Sequence, residues 1–239
     1  CRPWSRTVSP EKYIDKRTAC VVIEPVQGEG GVIFPDKGFL ELVRQKCTYT
    51  NSLLIFDEIQ TGFGRTGHMF AIDRFKVVPD ILLLAKALGG GMPLGAFISS
   101  GEIMSSLMSK PPLGHITTFG GHPVCCAAGL ASMKVLTEEN LIESCSDKSK
   151  LFSDMLKHDL ITGVRGEGLL LAVQLTRPEY VKYAIAKAPE FGLILDYFLF
   201  CDDAFRIAPP LTINEEEILL ACRQICNLLE DTRKNALNK

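Results

Sequence analysis

Leu53-Leu54-Ile55-Phe56-Asp57 is an unbroken apolar run closed by a carboxylate. A strand with one wet face alternates apolar and polar side chains. A run without alternation fits a strand covered on both faces, as in a parallel sheet under helices. The same pattern recurs on either side. Upstream, Cys20-Val21-Val22-Ile23 is rich in β-branched residues and stops at Glu24-Pro25. Downstream, Ile81-Leu82-Leu83-Leu84-Ala85 stops at Lys86, and Ala96-Phe97-Ile98 follows a Gly-rich turn. Between the first two runs, Asp36 stands where it can cap a helix with the apolar face Phe39, Leu40, Val43 and Cys47. In open α/β sheets the ligand crevice lies outside the carboxyl ends of the strands. That architecture gathers Glu24, Asp57 and Lys86 in one place.

The second half reads differently. His122 to Phe152 is helix-forming apart from a break at Asn140. Gly163 to Leu175 is read as a Gly-rich start followed by the strand Leu169-Leu170-Leu171-Ala172-Val173. Pro178 to Ala188 reads as helix and Phe205 to Ile213 as extended chain. Asn214 with Glu217 resembles a capping pair, opening a last helix with the stripe Ile218, Cys222, Ile225 and Leu229. The expected organisation is α/β over residues 1–135 and α+β over residues 136–239, divided inside or beside a long helix.

Composition narrows the function classes. The 239 residues are 46% hydrophobic and 23% charged with a net charge of -2, and Lys and Arg are scattered. A nucleic-acid partner calls for a basic stripe, so none is expected. No apolar run approaches the roughly 20 residues that span a bilayer, so no membrane is expected. Cys1 to Pro10 lacks the apolar region of a signal peptide. The nine cysteines include no CxxC pair, which speaks against zinc or any other metal and for buried, reduced thiols in a cytoplasmic protein. The chain starts at Cys1 without Met and its opening is polar and irregular, so the N-terminal part of a larger protein is expected to be missing.

Asp57 and Lys86 suit one particular chemistry. A pyridoxal cofactor is an electron sink only while its ring nitrogen is protonated, and a carboxylate opposite that nitrogen favours the pyridinium form. Its aldehyde is held by a lysine that afterwards moves a proton. A free lysine, with a pKa near ~10.4, must be brought down to do so. One carboxylate and one lysine on neighbouring strand ends meet that demand, although spacing alone does not decide it.

Local sequence decides more. Phe56-Asp57-Glu58-Ile59-Gln60-Thr61-Gly62-Phe63-Gly64-Arg65-Thr66-Gly67 resembles the signature of the class III (ω-amino acid) aminotransferases. So do Glu24-Pro25-Val26-Gln27-Gly28-Glu29-Gly30-Gly31, Leu84-Ala85-Lys86-Ala87-Leu88-Gly89-Gly90-Gly91, Thr117-Thr118-Phe119-Gly120-Gly121-His122-Pro123 and Phe205-Arg206-Ile207-Ala208-Pro209-Pro210. The resemblance is to the acetylornithine, ornithine, lysine and 4-aminobutyrate transaminases. It implies fold type I of the pyridoxal-phosphate transferases: part of the large cofactor-binding domain over residues 1–135 and the small domain over 136–239.

The resemblance also implies roles. Lys86 would be the Schiff-base lysine and proton shuttle for pyridoxal 5'-phosphate, and Asp57 the partner of the ring nitrogen. Gln60 would bond the ring hydroxyl, and Ile59 would wall one ring face. Thr118 would reach the cofactor phosphate of a partner subunit, which makes the expected assembly a homodimer with shared active sites. Arg206 would clamp the α-carboxylate of glutamate or 2-oxoglutarate as a fork, and Glu29 would occupy Arg206 when an ω-amino or basic amino acid is the donor. Such a switch lets one pocket serve both halves of a ping-pong cycle. His115, His122 and Arg65 are read as structural, Arg65 positioning its own loop. The family's phosphate cup and stacking aromatic lie upstream of Glu24-Pro25-Val26-Gln27, and neither is found here. This chain alone is therefore expected to bind the cofactor weakly or not at all. Two rivals stand beside this reading. Leu53 to Glu58 also looks like the Mg²⁺-binding strand of an ATPase, though no GxxxxGK[ST] loop occurs. The chain is alternatively a non-catalytic, truncated remnant.

Overall fold

A computed structural model describes residues 9–112 and 114–236. The reading of the chain's start falls mostly on residues 1–8, outside the described ones. After the short α1 (Pro10–Tyr13), the strands β1 (Cys20–Ile23), β2 (Leu53–Asp57), β3 (Ile81–Leu84) and β4 (Ala96–Ser99) form one sheet in that order. β1, β2 and β3 are parallel, with Ile23 beside Phe56 and Asp57 beside Leu83. β4 returns antiparallel, with Leu82 opposite Ile98. A parallel return needs a long crossover, usually a helix. The short link before β4 holds the 3-10 turn Lys86–Gly89 and the stretch Gly90-Gly91-Met92-Pro93-Leu94-Gly95, which reverse the chain instead.

Helix α2 (Phe39–Thr50) crosses from β1 to β2, and α3 (Ala71–Phe75) lies between β2 and β3. α2 buries the expected face: Phe39, Leu40, Val43 and Cys47 pack with Leu54, Phe56 and Val77. Its N-cap, however, is Gly38 and not Asp36. The chain enters the helix through a left-handed residue at φ 84°, a conformation free only to glycine. Asp36 sits in the preceding turn, its carbonyl accepting the Phe39 N–H at 3.1 Å. The expectation of strands covered on both faces holds on one face only. Leu54 and Phe56 are buried, whereas Val22 and Ile98 are each 53% exposed. Cys20, expected with the other cysteines to be a buried thiol, is likewise exposed.

After α4 (Gly101–Ser105), α5 (Pro123–Glu138) and α6 (Cys145–Met155) flank the break, where Asn140 has φ 50°. Residue 135, the expected dividing point, lies inside α5. A second, antiparallel sheet runs β5-β6-β8-β7, built from β5 (Ile161–Glu167), β6 (Leu170–Leu175), β7 (Asp196–Phe198) and β8 (Cys201–Ile207). The Gly-rich stretch at Gly163 is itself strand, paired with β6 across a register shift between Ile161 and Gly163. α7 (Pro178–Lys187) and α8 (Glu215–Asn235) complete this half. The α8 stripe, Ile218, Cys222, Ile225 and Leu229, is buried against Phe152, Leu171, Val173 and Phe205. Each such side chain taken from water is worth about 1.5–3 kcal/mol. Phe63 and Leu84 of the first half pack in the same cluster.

Candidate active site

The parallel register brings the carboxyl ends of β1, β2 and β3 side by side, and with them Glu24, Asp57 and Lys86. Glu24 senses the others: burial raises its carboxyl, Asp57 and Glu29 add to that, and Lys86 works against it. Four charges therefore share one region. Asp57 is half-buried, and its Oδ1 accepts the Ile59 N–H at 3.0 Å, a local turn that aims the carboxylate. Lys86 stands in the left-handed region at φ 49°. A non-glycine residue held there is strained. Its amine has no hydrogen-bond or ion-pair partner among the described residues.

The loop between β1 and α2 is clasped by paired Gln27–Ile33 backbone bonds of 3.0 Å, and the Gly28 N–H donates to Glu24 at 2.8 Å. Its tip, Glu29, meets the second sheet. Arg206 Nη2 donates to Glu29 Oε1 at 2.7 Å, Gln60 Nε2 donates to the same oxygen at 3.0 Å, and the Leu199 N–H donates to Oε2 at 3.2 Å. Burial pushes the Glu29 carboxyl up, but these three bonds and the Arg206 charge outweigh it and hold it below the ordinary carboxylate value. Arg206 lies over the Phe198 ring at 4.8 Å, with Asp196 3.6 Å from Nη1. Its Nε is buried without a hydrogen-bond partner among the described residues.

Glu29, Gln60 and Arg206 are thus joined directly, and Asp57 and Lys86 lie on adjacent strand ends. Ile59 lines an open concavity of about 740 Å³ with Leu83, Ala85, Thr117 and Gly121. Thr118 is exposed on the loop before α5 and bonds to none of the others among the described residues. His122 caps α5, its Nδ1 accepting the Val124 N–H at 3.3 Å, and the His115 ring packs edge-on against Phe97. Arg65 does more than hold its own loop: Nη1 donates to the carbonyls of Leu169 at 3.1 Å and Pro209 at 2.6 Å, tying the β2–α3 loop to the second sheet. Such partners, more than a hundred residues away, leave no local signal.

Glu58 went unread. It is fully buried, and its carboxylate accepts the Ala71 N–H at 2.6 Å, the Ile72 N–H at 3.0 Å and the Thr61 hydroxyl at 2.9 Å. It ties the end of β2 to the start of α3. The signal was a carboxylate next to Asp57 in a segment with no other charge before Arg65. Among the described residues no group of His, Cys, Asp and Glu is placed to hold a metal, and no helix is long and apolar enough to cross a membrane.

A family model described as aminotransferase class-III matches residues 5–229. An acetylornithine aminotransferase of Methanosarcina mazei is 42% identical over 221 residues, 90% of this chain and 53% of that protein. One from Clostridium acetobutylicum is 42% identical over 214 residues, 87% of this chain and 54% of that protein. The chain therefore spans about half the length of the curated relatives it matches. Among solved structures, an ornithine aminotransferase of Toxoplasma gondii, with partial occupancy of PLP at its active site, superposes with a TM-score of 0.85 at 34% identity. That match covers 95% of this chain and 54% of the other. An acetylornithine aminotransferase of Elizabethkingia anophelis superposes with a TM-score of 0.79 at 37% identity, covering 89% and 54%.

Proposed function

This chain belongs to the class-III aminotransferases, and on that footing we propose that the intact protein moves an amino group from an ω-amino or basic amino acid to 2-oxoglutarate by a ping-pong cycle. Acetylornithine, ornithine, lysine and 4-aminobutyrate are the candidate donors. A homodimer with shared sites, a cytoplasmic location and a division into large and small domains at residue 135 belong to the same proposal. Family membership leaves no support for the ATPase reading of Asp57-Glu58.

The residues present suit the ring of pyridoxal 5'-phosphate: a carboxylate, a stiff apolar wall, an amide and a primary amine on adjoining strand ends. Gly28 leaves room for that amide, since a Cβ there would stand 2.8 Å from Gln60 Oε1. When bound, the cofactor supplies an electron sink beside the substrate's amino-bearing carbon. Asp57 would hold the proton at the ring nitrogen, its charge favouring the protonated form. Ile59 would pack on one ring face. Lys86 Nζ would take the proton from the donor's amino-bearing carbon in one half-reaction and deliver one to the keto acid's carbon in the other. Gln60 holds the ring edge and, through Glu29, couples that edge to the substrate arginine. Arg206 binds the α-carboxylate of glutamate or 2-oxoglutarate once Glu29 leaves it. A carboxylate on that guanidinium meets a two-pronged donor whose alternative partner is already in place.

The observation that carries this reading is the Glu29–Arg206 pair at 2.7 Å, in the same charged region as Asp57 and Lys86. The test uses the intact protein. Visible absorbance of bound pyridoxal phosphate and glutamate formation from 2-oxoglutarate are both expected; in Lys86→Ala the absorbance is expected to shift to that of the unlinked aldehyde and glutamate formation to vanish. Amino transfer surviving in Lys86→Ala overturns the proposal.

A further inference from the structure

Four polar side chains outside the residues so far assigned close a ring beneath the Glu29 loop. Arg165 on β5 donates from Nη1 to Gln174 Oε1 on β6 at 2.9 Å, and Gln174 Nε2 donates to Asp203 Oδ2 on β8 at 2.7 Å. The Cys201 thiol donates to Asp203 Oδ1 at 3.1 Å, and Arg165 Nη2 donates to Cys201 Sγ at 3.2 Å, completing the circuit. Every link has a matched donor and acceptor, and the guanidinium fork spans two of them. Its third nitrogen, Nε, points away from the ring and donates to the Gly31 carbonyl at 2.6 Å.

Gly31 lies two residues beyond Glu29. The ring touches it so closely that a Cβ at Gly31 would stand 2.6 Å from both Arg165 Nη2 and Cys201 Sγ. The ring also reaches Glu29 from the other side. Cys201 follows Leu199 and Phe200, whose N–H groups donate to Glu29 Oε2 at 3.2 Å and to the Glu29 carbonyl at 3.1 Å. One network therefore fixes the loop that carries the carboxylate and the turn whose amides receive it. Both anchors favour the arrangement in which Glu29 faces Arg206. A hydrogen bond with an ionised partner is about twice as strong as a neutral one, and the Arg165 tie to the Gly31 carbonyl is of that kind.

We propose that Arg165, with Gln174, Cys201 and Asp203, is a positioning device that biases Glu29 toward Arg206. It thereby sets how affinity is divided between amine donors with no carboxylate at that guanidinium and keto acids with one. The inference rests on the aminotransferase reading above and assigns the groups that set the resting state of its switch. A ligand that must displace Glu29 binds more weakly by whatever the ring adds to the closed state.

Half-reactions of the intact protein, measured separately with N-acetylornithine and with 2-oxoglutarate, test this. Arg165→Gln should raise the ratio of donor KM to 2-oxoglutarate KM about tenfold, with the two limiting rates little changed, the scale expected for losing one charge-assisted bond. Arg165→Lys keeps a cationic donor for the Gly31 carbonyl and should recover part of that ratio. Amide exchange at Leu199 and Phe200 should quicken in Arg165→Gln, a readout independent of turnover. Should Arg165→Gln fail to fold, Asp203→Asn breaks the ring from its far side and is expected to move the ratio in the same direction. Glu29→Gln separates the two layers of argument. If it leaves the ratio unchanged, the switch itself is refuted and the positioning role falls with it. If it shifts the ratio while the ring variants change both KM values alike and leave amide exchange untouched, the switch stands and the ring is merely structural.

Discussion

At the scale of single residues, the pairing of Glu29 with Arg206 makes two measurable statements. The first concerns pH. Hydrogen bonds from Arg206, Gln60 and Leu199 hold the Glu29 carboxyl below its ordinary 4.5 despite burial, which alone would raise it. A carboxyl depressed by folding adds stability that is present above its unfolded value and is lost as pH falls through the folded one. The stability difference between the protein and Glu29→Gln should therefore be flat at neutral pH. It should shrink only as pH drops below about 4.5, as read by denaturant titration at several pH values. A difference that grows on acidification contradicts the pairing. The second statement concerns shape. Arg206 offers a planar fork, and Lys offers a point charge. Arg206→Lys in the intact protein should raise the KM for 2-oxoglutarate by about 10–100-fold, equivalent to about 1.4–2.8 kcal/mol, while the donor half-reaction changes less. Equal loss in both half-reactions would remove Arg206 from the carboxylate site. The sequence motif named this arginine, but the partners that place it on Phe198 and beside Asp196 come from a strand ten residues earlier and left no trace in local pattern.

Single elements show what local sequence can and cannot carry. The strand ends at Glu24, Asp57 and Lys86 were legible because burial on at least one face leaves an apolar run, and the run stops where water or chemistry begins. The opening of α8 was legible because a capping box is a three-residue rule. Asn214 Oδ1 accepts the Glu217 N–H and Glu217 Oε2 accepts the Asn214 N–H, both at 2.9 Å. Asn214→Ala should cost about 1 kcal/mol of stability in a denaturant melt, the usual worth of such a cap. The direction of β4, the strand at Gly163 and the glycine start of α2 were not legible, because a partner strand or a left-handed entry decides each one. Glu58 is the sharper case. Burial raises its carboxyl, and bonds from Ala71, Ile72 and Thr61 only partly offset that. A carboxyl raised by folding contributes most below its unfolded value of 4.5 and loses that contribution as pH rises through the folded value. Relative to Glu58→Gln, which does not titrate, the protein should lose stability as pH climbs from about 4.5, and chemical melts across that window measure the slope. A slope of the opposite sign means the three bonds outweigh burial.

For the whole molecule, cofactor capture and folding are linked equilibria, so the distribution of binding groups along the polypeptide becomes a thermal measurement. A ligand that binds only the folded state stabilises it by about 2.7 kcal/mol when present at a hundred times its dissociation constant. The 239 residues carry Asp57, Ile59, Gln60 and Lys86, the groups proposed for the ring, on one sheet and its exits. The group proposed for the phosphate is Thr118, exposed on the loop before α5 and assigned by family resemblance to a neighbouring subunit. A dianion held by few donors keeps most of its preference for water, and the carboxylate and amine at the ring end must then retain the ligand alone. The same half-open character marks the first sheet, whose Val22 and Ile98 face outward where a fully wound parallel sheet has helices. Pyridoxal phosphate at one fixed concentration should therefore raise the melting temperature of the intact protein by several degrees more than that of these 239 residues expressed alone. In the intact protein, Asp57→Asn should remove part of the shift and Lys86→Ala most of it, because one weakens the hold on the ring and the other removes the covalent anchor. Equal shifts in the two polypeptides would mean that the phosphate is gripped by groups within this chain, and that the ring-binding residues act in a pocket already complete.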